Sequence, residues 1–267
     1  MKKLTITDII AKKNTQKIVV LTAYSTPQAK LLDSFVDILL VGDSVGMVLY
    51  GMESTLGVSL NMMIEHGKAV VRGASKALVV VDLPFGSYQS SPQQAFKVSA
   101  KILATTGCGA VKLEGGVEMA DTVSFLTSRG VPVMGHIGLT PQSFNTLGGY
   151  KTQGKTETSI AKLMADAKAI ENAGAFSVVL EGVTPDVAEK ITNSLKIPTI
   201  GIGASSMCDG QVLVSEDMLG MTVGYIPKFA KTYATLAKDI ENAVQQYAKE
   251  VRNGDFPSAE YCYPYKK

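Results

Sequence analysis

The stretch Ala110–Gly116, AVKLEGG, sets a lysine and a glutamate two residues apart in an apolar run that ends on a pair of glycines. Alternate residues of a strand face the same side, so Lys112 and Glu114 point one way while Val111 and Leu113 point the other. A buried cation and carboxylate sharing one face need each other, a metal or a substrate. Taken alone, the pair reads equally well as a structural ion pair, because such pairs also form in barrels and clefts. The remainder of the chain decides between these readings.

Working outward from it, short aliphatic runs alternate with helical patterns. The runs are Ile18–Ala23, Asp37–Val41, Ala77–Val81, Ala110–Leu113, Val131–Gly135, Phe176–Leu180, Ile197–Ile202 and Met218–Val223. Helices are expected over Thr26–Ser34, Leu60–Arg72, Pro92–Thr106, Val117–Arg129, Glu157–Ala173, Pro185–Leu195 and Phe229–Val251. Hydroxyl–proline junctions at Thr26-Pro27, Ser91-Pro92, Thr140-Pro141 and Thr184-Pro185 offer caps to orphan N–H groups, and Gly73, Gly107, Gly130 and Gly174 offer stops. Strands apolar on both faces and alternating with helices imply a parallel sheet covered by helices. Eight such units fit a closed (β/α)8 TIM barrel, an α/β fold, better than an open sheet. No linker breaks the pattern, so the expectation is one domain over 1–267, with a short N-terminal helix and a C-terminal tail.

The composition is that of an ordinary soluble protein. Of 267 residues, 46% are hydrophobic and 19% charged, and the formal net charge of +2 is scattered, with no basic run for nucleic acid. Charges or glycines interrupt every hydrophobic run before it could span a bilayer. Cys108, Cys208 and Cys262 lie far apart without a CxxC pair, which suits a reducing cytoplasm rather than a disulfide framework. The opening MKKLTITDIIAKKN lacks the unbroken apolar core of a signal peptide and reads as an amphipathic helix.

The conspicuous polar residues fall at the C-terminal ends of the expected strands: Asp43 and Ser44 after the second, Asp82 after the third, Lys112 and Glu114 on the fourth. His136 ends the fifth, Glu181 the sixth and Gly201–Gly203 the seventh. In a barrel that end is the catalytic rim, where residues distant in sequence converge. Asp43, Asp82 and Glu114 offer only hard oxygen ligands, which favours Mg²⁺ over zinc. Mg²⁺ held by few protein oxygens keeps positions open for the carboxylate and ketone of a small 2-oxo acid, and polarising that ketone stabilises an enolate. Lys112 is suited to neutralising substrate charge and Glu181 to removing an α-proton. His136 reads equally as a histidine satisfying a backbone carbonyl, and His66 as structural. The glycines of GIGAS at 201–205 would also serve a phosphate cradle, though tight barrel packing explains them as well. The glycine-bearing loop His136–Thr156 is a candidate lid, and Tyr50–Ser59 is a second long loop on the same side.

With VGDS at 41–44, DLPFGSY at 82–88, VKLEGG at 111–116, GHIGLTPQS at 135–143, IGIGA at 200–204, DGQ at 209–211 and IPKFAK at 226–231, the chain resembles the ketopantoate hydroxymethyltransferase family from about Thr5 to Pro257. The resemblance implies a (β/α)8 enzyme that moves a hydroxymethyl group from 5,10-methylenetetrahydrofolate to 3-methyl-2-oxobutanoate, giving 2-dehydropantoate for pantothenate and coenzyme A biosynthesis. By position, it implies metal binding by Asp43 and Asp82 with Glu114 as third acid, and substrate contacts from Asp43, Ser44, Asp82 and Lys112. Glu181 is implied as the general base, and a homodecamer as the assembly. Met52, Gly57 and Ser205-Ser206 depart from the family's usual pattern. The rival reading is another Mg²⁺-dependent barrel lyase or mutase acting on a small 2-oxo acid without folate. A catalytically silent barrel ranks below both, since every acid and the lysine are kept.

Overall fold

The computed structural model of the protein describes residues 3–149 and 151–264, so Tyr150 of the long loop and residues 265–267 of the tail lie outside the described residues. The chain forms two compact units, Met1–Ser215 and Glu216–Lys267. No proline- or serine-rich linker marks the junction, the kind of signal by which sequence would reveal it.

The first unit is a closed parallel barrel in which every strand pairs with its neighbours in chain order and β8 returns to β1. Its strands are β1 (Ile18–Thr22), β2 (Ile38–Val41), β3 (Leu78–Asp82), β4 (Ala110–Glu114), β5 (Val133–Gly138), β6 (Ser177–Glu181), β7 (Thr199–Ile202) and β8 (Gly210–Leu213). The helices are α1 (Ile6–Ile10), α2 (Thr26–Leu32), α3 (Val45–Val48), α4 (Leu60–Gly73), α5 (Pro92–Thr106), α6 (Ala120–Thr127), α7 (Phe144–Leu147), α8 (Glu157–Asn172), α9 (Pro185–Ser194), α10 (Ser215–Met218) and α11 (Leu236–Asn253). The (β/α)8 expectation therefore holds, with one strand misplaced. Met218–Val223 is not the eighth strand; the short GQVL of Gly210–Leu213 is. That segment alternates small, polar and apolar residues, and Gly210 earns its place by lacking a Cβ, which would lie 2.5 Å from the Ile18 carbonyl oxygen.

Strand alternation divides the core into two layers. Ile18, Val20, Ile38, Leu40, Leu78, Val80, Ala110, Met134, Val179, Ile200 and Val212 fill the barrel interior. Leu39, Val41, Val79, Val81, Val111, Leu113, Val133, Ile137, Val178 and Leu180 face outward to pack with helix residues such as Met63, Val70, Ile102 and Ile170. The bottom is closed by α1, whose Thr5 and Asp8 form a reciprocal cap and whose Ile9 is fully buried among the interior residues. Burying that side chain stabilises by about 2–3 kcal/mol. Ion pairs Lys13–Asp209 at 2.7 Å and Lys12–Asp37 at 2.9 Å flank the plug.

The caps follow the expected chemistry with shifts of detail. Ser91 Oγ accepts from the Gln94 N–H at the start of α5, whereas at α2 the capping oxygen is that of Ser25, one residue before the expected threonine. Thr184 makes no side-chain cap for α9 and instead donates its hydroxyl to the Gly154 carbonyl.

Candidate active site

Interior positions of the barrel turn from apolar to polar towards the C-terminal strand ends. On β3, Leu78 and Val80 give way to Asp82; on β4, Ala110 gives way to Lys112 and Glu114; on β5, Met134 to His136; on β6, Val179 to Glu181. The pairing register sets Asp82 beside Lys112 and Glu114 beside His136, so neighbouring strands deliver opposite charges to one level. Asp43 and Ser44 follow β2 at the start of α3.

Asp43, Asp82, Lys112, Glu114 and His136 are all buried. Lys112 Nζ donates to Asp82 Oδ1 at 2.7 Å, and the Asp43 N–H donates to Asp82 Oδ2 at 3.1 Å. His136 lies between two acids, with Nδ1 3.3 Å from Glu114 Oε1 and Nε2 3.2 Å from Glu181 Oε2. Glu181 is the most open of the acids in this set, its side chain 16% exposed against 3% for Glu114 and 4% for Asp82. The Ser44 hydroxyl shares a 2.8 Å hydrogen bond with Tyr24 Oη. Structure thus gathers Asp43, Asp82, Lys112, Glu114, His136 and Glu181 in one linked cluster, with Ser44 adjoining Asp43. Lys112 and Glu114 do not pair with each other: Lys112 pairs with Asp82 and Glu114 meets His136, both within this larger assembly.

Charge explains the protonation states. Burial, followed by repulsion from Asp82 and Glu114, pushes the Asp43 carboxyl up to about 7. Burial favours the neutral amine of Lys112, but Asp82, Asp43 and Glu114 outweigh it and hold the ammonium above its ordinary range. For His136, burial and Lys112 favour the neutral ring, yet contact with Glu114 and Glu181 raises it to about 9. The four carboxylates set against one ammonium and one imidazolium leave two surplus negative charges when all are ionised, the charge of one divalent cation.

The donor set fits Mg²⁺ as a partial shell. Among the described residues, no group of three or more His, Cys, Asp or Glu side chains is arranged to hold a metal ion. A hard cation that keeps solvent and substrate positions needs only one or two direct carboxylates. Buried Glu114 Oε1 and both ring nitrogens of His136 have no aligned hydrogen bond, so His136 meets Glu114 and Glu181 through charge contacts rather than well-directed bonds.

Sequence reading passed over the residues that hold the acids in place. Tyr88, in the loop after β3, and Gln142, in the 3₁₀ turn Pro141–Ser143 after β5, are buried and hydrogen-bonded to each other at 2.7 Å. Gln142 Nε2 donates to Asp43 Oδ2 at 2.8 Å, and its backbone N–H donates to Glu114 Oε2 at 3.0 Å. The available signal was an amide and a phenol close behind strand ends, inside DLPFGSY and GHIGLTPQS. Thr140-Pro141 drew attention as a helix cap instead.

The family model described as Ketopantoate hydroxymethyltransferase matches residues 3–259. The 3-methyl-2-oxobutanoate hydroxymethyltransferase of Bordetella petrii is 58% identical over 259 residues, 97% of this chain and 94% of that protein. Its counterpart in Sinorhizobium fredii is 56% identical over 266 residues, covering 100% of this chain and 97% of that one. Among solved structures, a phosphoenolpyruvate phosphomutase from Streptomyces platensis subsp. rosaceus shares the fold with a TM-score of 0.62 at 11% identity, covering 98% of this chain and 92% of that one. Matched along nearly its whole length by the family model and by relatives of this identity, the chain belongs to the ketopantoate hydroxymethyltransferase family and is an enzyme of the transferase class.

Proposed function

We propose that this enzyme transfers a hydroxymethyl group from 5,10-methylenetetrahydrofolate to 3-methyl-2-oxobutanoate, giving 2-dehydropantoate in pantothenate and coenzyme A biosynthesis. The observation that carries the reading is the contrast at the strand ends: three buried acids and a lysine lie in the pocket, while the more open Glu181 is linked to them through His136. Mg²⁺ held by Asp43 and Asp82, with Glu114 behind them, would supply Lewis acidity to the ketone of the 2-oxo acid.

Each side chain then has a distinct task. Lys112, kept cationic by Asp82, offsets the negative charge of the substrate. Ser44 and Asp43 bound the substrate where β2 ends. Glu181 takes the proton from C3, and the resulting carbanion attacks the one-carbon unit of the folate. Both C–N bonds to that carbon break, and water supplies the hydroxyl; the C3 proton and the water proton end on the two nitrogens of the tetrahydrofolate that leaves. His136, cationic between Glu114 and Glu181, holds the base carboxylate towards the pocket and away from the metal acids. The cytoplasm is the proposed location, in keeping with three free cysteines. Among the described residues no helix is long and apolar enough to cross a membrane. A homo-oligomer, a homodecamer by family expectation, is the proposed assembly.

Proton NMR of 3-methyl-2-oxobutanoate in D₂O tests the chemistry directly. The C3 proton signal should disappear in the presence of protein and Mg²⁺, and product should form once methylenetetrahydrofolate is added. In Glu181→Gln the exchange should fall by about 10²–10⁴-fold, the usual worth of a positioned base, with metal binding retained. Normal exchange in that variant removes Glu181 from the role. No exchange in folded, metal-loaded wild type rejects the function and turns attention to a folate-independent lyase or mutase.

A further inference from the structure

Gln142 has both ends of its amide engaged. Nε2 donates to Asp43 Oδ2 at 2.8 Å and to the Leu83 carbonyl at 2.9 Å. Oε1 accepts from Tyr88 Oη at 2.7 Å and from Gln89 Nε2 at 3.2 Å. The Leu83 carbonyl can only accept, so the NH₂ end must face it, and the same NH₂ therefore faces Asp43. The orientation of the amide follows from its partners.

Tyr88 fixes the other end. Its oxygen accepts from the Glu114 backbone N–H at 3.2 Å, which leaves its single proton for Gln142 Oε1, the nearer of its two acceptors; the Glu114 carbonyl lies at 3.4 Å. A directed chain results, from the Glu114 N–H to the Tyr88 phenol, to the Gln142 amide, to the Asp43 carboxylate. The loop of Gln142 closes the circuit by donating its own backbone N–H to Glu114 Oε2 at 3.0 Å. Two acids borne by different strands are thus tied to a single residue of the turn after β5. Because Oδ2 of Asp43 and Oε2 of Glu114 are taken, each acid is held in one orientation.

We infer that Tyr88 and Gln142 are positioning residues for the divalent cation: the Tyr88–Gln142 relay orients Asp43 so that Oδ1, the oxygen it leaves free, is turned to the metal, while it holds Glu114 with Oε1 towards His136. This deepens the function proposed above and rests on its metal site. Carboxylates that ligate a metal depend on such hydrogen-bonding partners, and loss of one weakens metal affinity by roughly 10–100-fold. Apolar packing alone would give no such dependence.

The test is titration of the full-length protein with MnCl₂, followed by the electron paramagnetic resonance of free Mn²⁺, with thermal unfolding of each metal-free variant alongside. Gln142→Met keeps length and removes the hydrogen bonds; its Mn²⁺ dissociation constant should rise about 10–100-fold. Tyr88→Phe leaves Gln142 in place and removes one link, so a rise of about 2- to 10-fold is expected, the worth of a single hydrogen bond. If Gln142→Met does not fold, Tyr88→Phe decides alone. A folded variant that binds Mn²⁺ as wild type does, even with lowered thermal stability, overturns the relay and leaves the proposed function standing. Wild type that fails to bind Mn²⁺ overturns the metal site itself, and the relay falls with it.

Discussion

Asp43 and His136 hold protons more tightly than water would leave on them, for opposite reasons. Asp43, raised from 3.8 to about 7 by burial and by its acidic neighbours, is destabilised in its charged form. His136, raised from 6.5 to about 9, is stabilised in its charged form by the flanking glutamates. Each retains in the folded state a proton that the unfolded chain gives up at lower pH, so each makes folding less favourable as pH rises. For Asp43 the loss falls between about pH 4 and 7; for His136 the stabilisation is complete below about 6.5 and disappears as pH passes through about 9. Urea midpoints of metal-free protein should therefore decline over both windows, Asp43→Asn flattening the acid one and His136→Gln the alkaline one. Mg²⁺ binding near pH 6 should also release about one proton from Asp43, measurable by calorimetry in two buffers of different ionisation heat. Equal heats in both buffers would show that Asp43 is already ionised. At this scale the sequence exposed Asp82, Lys112, Glu114, His136 and Glu181, because strand alternation assigns them to the interior. It concealed Tyr88 and Gln142, whose placement depends on loop paths that no periodicity encodes.

The elements most legible in the sequence are those covered on both faces. Strands β2 to β7 are buried inside and out, so their aliphatic runs stand apart from the neighbouring polar segments. The eighth strand, expected at Met218–Val223, forms instead at Gly210–Leu213, where the exposed Gln211 and a length of four residues leave no aliphatic run to mark it. The long loop after β5 also differs from a free lid. Gln142 pins one side of it to the acids, while the Gln153 N–H donates to the Gly182 carbonyl at 2.7 Å and pins the other. At Gly138 the end of β5 lies close against β6: the residue has φ +96°, and a Cβ there would lie 2.4 Å from the Glu181 carbonyl oxygen. Gly138→Ala forces a left-handed backbone on alanine, at about 1–3 kcal/mol, and pushes the strand end that bears the base. Misplacing a reacting group by about 1 Å can lower a rate by roughly 10²-fold. C3 proton exchange should fall at least about tenfold and Mn²⁺ affinity by less, because Asp43 and Asp82 lie outside β5 and β6 and only the Gln142 turn links Gly138 to them. Parallel losses of exchange and metal affinity would instead mean that the whole strand-end cluster moves as one body.

At the scale of the whole molecule, large apolar side chains are exposed in both units. The outward residues of β2 to β7 are buried, whereas Val19 on β1 is 45% exposed and Gln211 on neighbouring β8 is exposed too. In the second unit, α11 spans Leu236–Asn253 without a buried residue, yet Ile240, Val244, Tyr247 and Val251 recur at spacings of four, three and four along one face. Tyr247 also packs edge-on against Phe256, at 5.5 Å between ring centres, which extends the apolar face beyond the helix. An amphipathic helix this long does not keep such a stripe in water without a partner, and every copy of the chain carries one. Cover of that stripe by a second copy is the physical argument for the proposed homo-oligomer. Mass photometry of wild type should show a multimer, and the double variant Ile240→Glu, Val244→Glu should shift the population to smaller species, because two charges in an apolar contact each need solvent or a counter-ion. The acids of the barrel are all supplied by the first unit, so Mn²⁺ binding should survive in those smaller species. A wild type that is monomeric at micromolar concentration would reject the assembly, and a variant that keeps the full mass would remove α11 from its interface.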